Sequence, residues 1–175
     1  MVRHHLRPTR ARAPVAAAAI ALVATLLVGC GFYSTSGSLP THVRTVGVEF
    51  FRNSTAEAGI EDRLYRTLGD RLVGRAQVRY ASARVADAII RGTIVEVHEE
   101  PLAYTGEQAQ RYQLLVTVRA EIWDRGRQRT LWKDDVVRGQ GVYDPSAGLG
   151  ARDRAYNDAL GEVAQRIIDG LMSGW

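Results

Sequence analysis

The chain has 175 residues, 46% of them hydrophobic, and a formal charge of +4, which is room for one ordinary domain plus a targeting segment. Residues 1–29 hold Arg3, Arg7, Arg10 and Arg12 and no acidic residue. The remainder is therefore charge-balanced and has no bulk electrostatic reason to seek nucleic acid. Cys30 is the only cysteine, which excludes an internal disulfide and a cysteine cluster for zinc or iron–sulfur, so the fold must rest on its own core.

Residues 1–12 are polar, and residues 13–28 are apolar apart from Pro14 and Thr25. A bilayer-spanning helix needs about 20 apolar residues, so this shorter stretch suits the core of a secretory signal. Leu27-Val28-Gly29-Cys30 follows and resembles the lipobox of bacterial lipoproteins. That resemblance implies removal of residues 1–29 as a signal peptide, diacylglycerol on the Cys30 thiol and an acyl chain on the new amino terminus. Two or three acyl chains anchor stably where one binds only marginally. Gly31 stands where lipoprotein-sorting signals typically carry an aspartate for inner-membrane retention, so the resemblance also implies the outer membrane.

Residues 30–42 are rich in Ser, Gly, Thr and Pro and read as a tether, with the domain beginning at residue 43. Residues 43–50 read as a first strand with Val46, Val48 and Phe50 on one face. Ser54 and Glu57 have capping-box spacing, and a helix is expected from there to about Val73. Ile60, Leu64, Leu68 and Leu72 form its apolar stripe, and Gly74 is its stop. Residues 78–81 offer a short strand, and residues 88–97 a strand buried on both faces that Pro101 ends. Residues 111–124 alternate, with Tyr112, Leu114, Val116, Val118, Ala120 and Ile122 on one face. Residues 125–128 form a hairpin turn, residues 130–143 return antiparallel, and a last helix spans residues 151–172 with Tyr156, Leu160, Val163, Ile167 and Leu171 as its stripe. The fold class is α+β: two helices on one face of a four-stranded mixed sheet.

Catalytic chemistry has little support in the residues. His42 and His98 are far apart and lack an i, i+4 partner for a metal. No G-x-S-x-G elbow is present. Glu99-Glu100 and Asp134-Asp135 are neighbours that a strand would point to opposite faces, and read as solvated strand ends. Gly139-Gln140-Gly141 is too short and misplaced for a phosphate loop. Arg125, Arg127 and Arg129 alternate through the hairpin turn, with Arg119 and Lys133 further down its strands. Arginine forks match phosphate bidentately, so this turn is the candidate contact for a phosphorylated glycolipid; the plain alternative is a solvated turn. Trp123 and Trp132 flank it as sheet packing or as ligand platforms.

Several segments, in order, resemble the lipopolysaccharide-assembly lipoprotein LptE family. They include Gly29-Cys30-Gly31-Phe32-Tyr33, Leu39-Pro40, Val46-Gly47-Val48-Glu49-Phe50-Phe51-Arg52-Asn53, Glu61-Asp62-Arg63-Leu64, Ala86-Asp87-Ala88-Ile89-Ile90-Arg91-Gly92-Thr93-Ile94, Tyr112-Gln113-Leu114-Leu115-Val116-Thr117-Val118, Leu131-Trp132 and a final helix ending in Trp175. The resemblance implies a non-enzymatic outer-membrane lipoprotein, lipidated at Cys30 and without other cofactor. Such proteins sit as a plug inside the barrel of their partner LptD and help deliver lipopolysaccharide to the outer leaflet. The competing reading is a lipoprotein adaptor that activates a cell-wall enzyme, whose V-x-V-x-F-x-N strand Val46 to Asn53 partly match; a hydrolase with an unrecognised site is a third.

Overall fold

The computed structural model describes residues 39–75, 77–105 and 108–173; the expected signal peptide, Cys30, most of the tether and Trp175 lie outside the described residues. Strands β1 (Thr45–Val48), β2 (Arg52–Asn53), β3 (Arg79–Tyr80), β4 (Ala88–Thr105), β5 (Gln108–Asp124) and β6 (Arg129–Tyr143) form one sheet. Their order is β3-β1-β4-β5-β6, with β2 also pairing with β4. The sheet is mixed: β1 runs parallel to β3 and β4, β2 is parallel to β4, and β4, β5 and β6 are antiparallel neighbours.

The sheet thus has six strands rather than the four expected. The difference lies in β2, too short at two residues to leave a period in the sequence, and in β3, which falls within the short 78–81 strand that the count of four left out. β4 also continues through Pro101. Its register shifts between Ile94 and Glu96 and again between Pro101 and Ala103, and a proline at a bulge costs no ladder hydrogen bond. β5 starts at Gln108 instead of residue 111, so the β4–β5 hairpin runs on past Tyr112–Tyr143, the last β5–β6 pair, as a two-stranded ribbon.

Helix α1 (Ile60–Val73) begins later than the capping-box spacing predicts, after Gly59 at φ 80°. Asn53 takes over the local bonding. Its Oδ1 accepts from the Thr55 amide at 2.9 Å, and its Nδ2 donates to the Glu57 carbonyl at 2.7 Å and to Glu61 at 2.9 Å. Glu61 and Asp62 lie in the first turn, where the helix dipole favours acids. The helix stops at Gly74 as expected, and Ile60, Leu64, Leu68 and Leu72 are all buried.

Helix α2 (Ala151–Ser173) packs on β5 and β6 and against α1, while α1 meets β1 and β3. Tyr156, Leu160, Val163, Ile167 and Leu171 are buried, as are Leu114, Val116, Val118, Ala120 and Ile122 of β5. Each fully buried side chain of this size contributes roughly 1.5–3 kcal/mol against the entropy of ordering the chain. Gly139 and Gly141 set the depth of the packing. A Cβ at either would strike the α2 backbone, at the carbonyls of Ala159 and Ala155. The Gly-x-Gly of β6 is therefore a seat for a helix. Trp132 lies under Gly170 of α2, where a Cβ would also meet its ring.

Candidate functional site

Two surfaces on the described residues carry charge in an organised way: the β5–β6 turn and the sheet face opposite the helices. The turn is built around Asp124. Its carboxylate is fully buried and lies 2.7 Å from Nε2 of His42, and it accepts the Arg127 amide at 3.0 Å. Burial by itself pushes this acid up, but the Arg127 amide, the His42 ring and the Gly126 amide outweigh it and hold it below the usual carboxylate range. Gln128 takes a left-handed φ of 51°, and its side chain closes the turn on the Arg125 carbonyl at 2.7 Å. His42, expected at the end of the tether, is thus held on the domain, and Leu39 packs against the core.

The three arginines of the turn do not behave alike. The Arg125 amide donates to the Asp87 carbonyl at 2.9 Å, and its guanidinium donates to the carbonyls of Ala83 and Arg84. It fixes the neighbouring loop. Arg127 and Arg129 are exposed and make no ion pair among the described residues, so two of the three keep forks available for phosphate.

On the open sheet face, Arg91 pairs with Glu121 at 3.0 Å, and Asp135 pairs with Arg119 at 3.1 Å and Lys133 at 3.3 Å. Glu121 is pushed up by burial, but hydrogen bonds from Thr130 and Arg91 bring it below its ordinary value. A depression of ≈ 410 Å³ lies here, lined among others by Glu49, Phe50, Arg52, Arg91, Arg119 and Lys133. Phe50 is 59% exposed and stacks on Tyr65 with ring centres 4.8 Å apart. Arg91 lies 4.7 Å from the centre of the Trp123 ring, so Trp123 is covered on this face while Trp132 packs on the helix side.

A third cluster joins the start of α2 to β4 and to the segment before α1. Arg152 reaches Glu99 at 3.0 Å and Glu57 at 3.3 Å and donates to the Tyr156 hydroxyl at 3.2 Å. The Tyr143 hydroxyl donates to Glu99. Burial, then the neighbouring Glu99 carboxylate, push Tyr143 up to about 12, and burial with Glu57 pushes Tyr156 up as well. Glu99 is therefore an internal partner and not the solvated strand end expected from sequence. Asp134 caps the Val136 amide at 2.8 Å, and Asp135 is ion-paired. Among the described residues no three His, Cys, Asp or Glu side chains converge as metal ligands, and no helix is long and apolar enough to cross a membrane.

Sequence reasoning missed the Arg152 cluster and the His42–Asp124 pair. Both join residues dozens of positions apart, and neither leaves a local spacing signal.

Comparison with known proteins fits this architecture. The fold is similar to lipoprotein B from Nitrosomonas europaea, with TM-score 0.52, 13% identity, and 79% of this chain and 87% of that chain covered. It is also similar to protein XCC0632 from Xanthomonas campestris, with TM-score 0.52, 10% identity, and 78% and 90% covered. No curated protein matches the sequence. The model of the LptE family, described as lipopolysaccharide-assembly, matches residues 43–173, and the chain belongs to that family.

Proposed function

We propose that this protein is the plug subunit of a lipopolysaccharide translocon: an outer-membrane lipoprotein anchored through Cys30, seated in the barrel of LptD, and assisting both barrel assembly and delivery of lipopolysaccharide to the outer leaflet. The observation that carries the reading is the family match over residues 43–173, nearly the whole domain, and it supports a role in lipopolysaccharide assembly directly. The family is one of non-enzymatic assembly lipoproteins. Barrel partner, anchoring and membrane are the finer steps of the proposal. A domain with a polar, ion-paired sheet face suits a polar barrel lumen. Arg127 and Arg129 are the glycolipid contacts in this reading, with Arg125 holding the turn that presents them. No comparison supports the cell-wall adaptor.

Depletion of the chain in its host tests this. Surface lipopolysaccharide is expected to fall and to be restored by the wild-type gene. Unchanged surface lipopolysaccharide on full depletion would refute the reading. Labelled palmitate tests the anchor separately: label that persists in a Cys30→Ala variant contradicts attachment at Cys30.

A further inference from the structure

The end of the domain at which the chain enters carries a concentration of positive charge that the charge-balanced composition hides. His42 ties the entering segment to Asp124. Strand register brings the rest to the same end: Thr45 lies beside Arg79, Ala88 is opposite Asp124, and Asp124 is opposite Arg129. Arg44, Arg79 and Arg84 are exposed there, and none is ion-paired among the described residues. The Arg79 amide donates to the Arg44 carbonyl at 3.1 Å, and the Ala83–Arg84 carbonyls are fixed by Arg125.

The carboxylates that the strands bring to this end are used internally. Asp87 accepts from the Arg44 and Thr45 amides and the Thr45 hydroxyl and makes no ion pair with these guanidiniums among the described residues, so its single charge offsets only part of theirs. Asp124 is occupied by His42 and the Arg127 amide. Val85, 73% exposed, adds an apolar point beside Arg84. Leu39 lies nine residue steps after Cys30, so even a fully extended tether reaches only about 30 Å.

We propose that Arg44, Arg79 and Arg84, with Val85, form a docking surface for the anionic phospholipid headgroups of the leaflet that holds the lipid anchor, setting the lipoprotein end-on to the membrane while it is outside the barrel. The proposal rests on Cys30 as the anchor. Arginines near an anionic surface each bind measurably, and the attraction fades within a Debye length of about 8 Å at physiological salt. A short tether keeps these arginines within that range, and Arg127 and Arg129 on the adjacent turn are left for glycolipid.

The test uses the full chain with Ser82→Cys, an exposed position in the same loop, spin-labelled and reconstituted into phosphatidylcholine vesicles carrying a nickel-chelating lipid, with or without phosphatidylglycerol. Phosphatidylglycerol should increase relaxation of the label by headgroup nickel several-fold. High salt should abolish the increase, and so should joint Arg44→Glu, Arg79→Glu and Arg84→Glu, which shifts the docked-to-undocked ratio about a hundredfold. Joint Arg127→Glu and Arg129→Glu should leave it in place. Equal relaxation in both membranes, no effect of the triple reversal in a chain that still melts cooperatively, or loss through the turn arginines alone would overturn the proposal. The mass of the N-terminal peptide reports acylation independently. If Cys30 is bare, the anchor reading fails, and the headgroup response is read in a Cys30→Ala background held by the uncleaved apolar leader.

Discussion

Nε2 of His42 lies 2.7 Å from Oδ2 of Asp124, whose side chain is fully buried while the imidazole is 30% exposed. This pair fixes where the chain enters the domain, because the same carboxylate organises the β5–β6 turn through the Arg127 amide. Removing it leaves the ring and the amide without their acceptor. Asp124→Ala is expected to lower stability by about 2 kcal/mol, the cost of stranding buried polar groups, and His42→Ala by less. Urea unfolding followed by tryptophan fluorescence measures both.

Acid should destabilise the protein through the same residue. Asp124, Asp87, Glu57 and Glu121 all sit below their ordinary values in the fold. Their contribution is present above the unfolded carboxylate range near pH 4 and is lost as pH falls through the lowered values. The urea midpoint should hold steady from pH 7 to about pH 5 and drop below that, with a shallower drop in Asp124→Asn.

The alkaline limb reports the Arg152 cluster. Tyr143 is held at about 12, by burial first and then by Glu99, so its contribution is present below pH 10 and fades as pH rises toward 12. In Glu99→Gln the carboxylate charge is gone, and an ultraviolet titration of the phenols should find Tyr143 ionising closer to 10. An unchanged titration would detach Tyr143 from Glu99.

Helix seating depends on two glycines. Gly141→Ala places a methyl on the Ala155 carbonyl and Gly139→Ala one on the Ala159 carbonyl, and overpacking of this kind costs typically 1–3 kcal/mol. Gly74→Ala is the contrasting substitution. Its φ is −76° and a Cβ there would meet only the Arg71 carbonyl, at an ordinary 3.9 Å, so it should be neutral or slightly stabilising. Thermal melts of the three variants decide the matter.

Charge reversal tests the turn. Joint Arg127→Glu and Arg129→Glu should weaken binding of lipopolysaccharide aggregates at low salt at least tenfold, and Arg125→Glu should instead lower stability by freeing the Ala83–Arg84 carbonyls. Binding that survives the double reversal removes the turn from glycolipid contact.

The elements with a long period were legible in the sequence. The four-residue recurrence from Ile60 to Leu72, the alternation along β5 and the stripe of α2 each repeat often enough to reveal one buried face. β2 was not, because two residues carry no period and its pairing depends on a parallel neighbour far along the chain; β3 falls within the short strand that residues 78–81 offer. The start of α1 lies later than its spacing suggests because the two donors of the expected capping box go elsewhere, the Glu57 amide to the Thr55 hydroxyl at 3.2 Å and the Ser54 amide to the Ile94 carbonyl at 3.0 Å. At the candidate site, the exposure of Arg127 and Arg129 follows from the turn at residues 125–128, which the sequence shows. The diversion of Arg125 depends on a loop that sequence separation hides. Gly139 and Gly141 look like an orphan motif until a helix lies across them.

Affinity purification of the tagged chain from detergent-extracted membranes tests the central claim most directly. The account predicts that a large outer-membrane β-barrel of the LptD type co-purifies with it, near one to one. Recovery of a periplasmic cell-wall synthase and no barrel would contradict it.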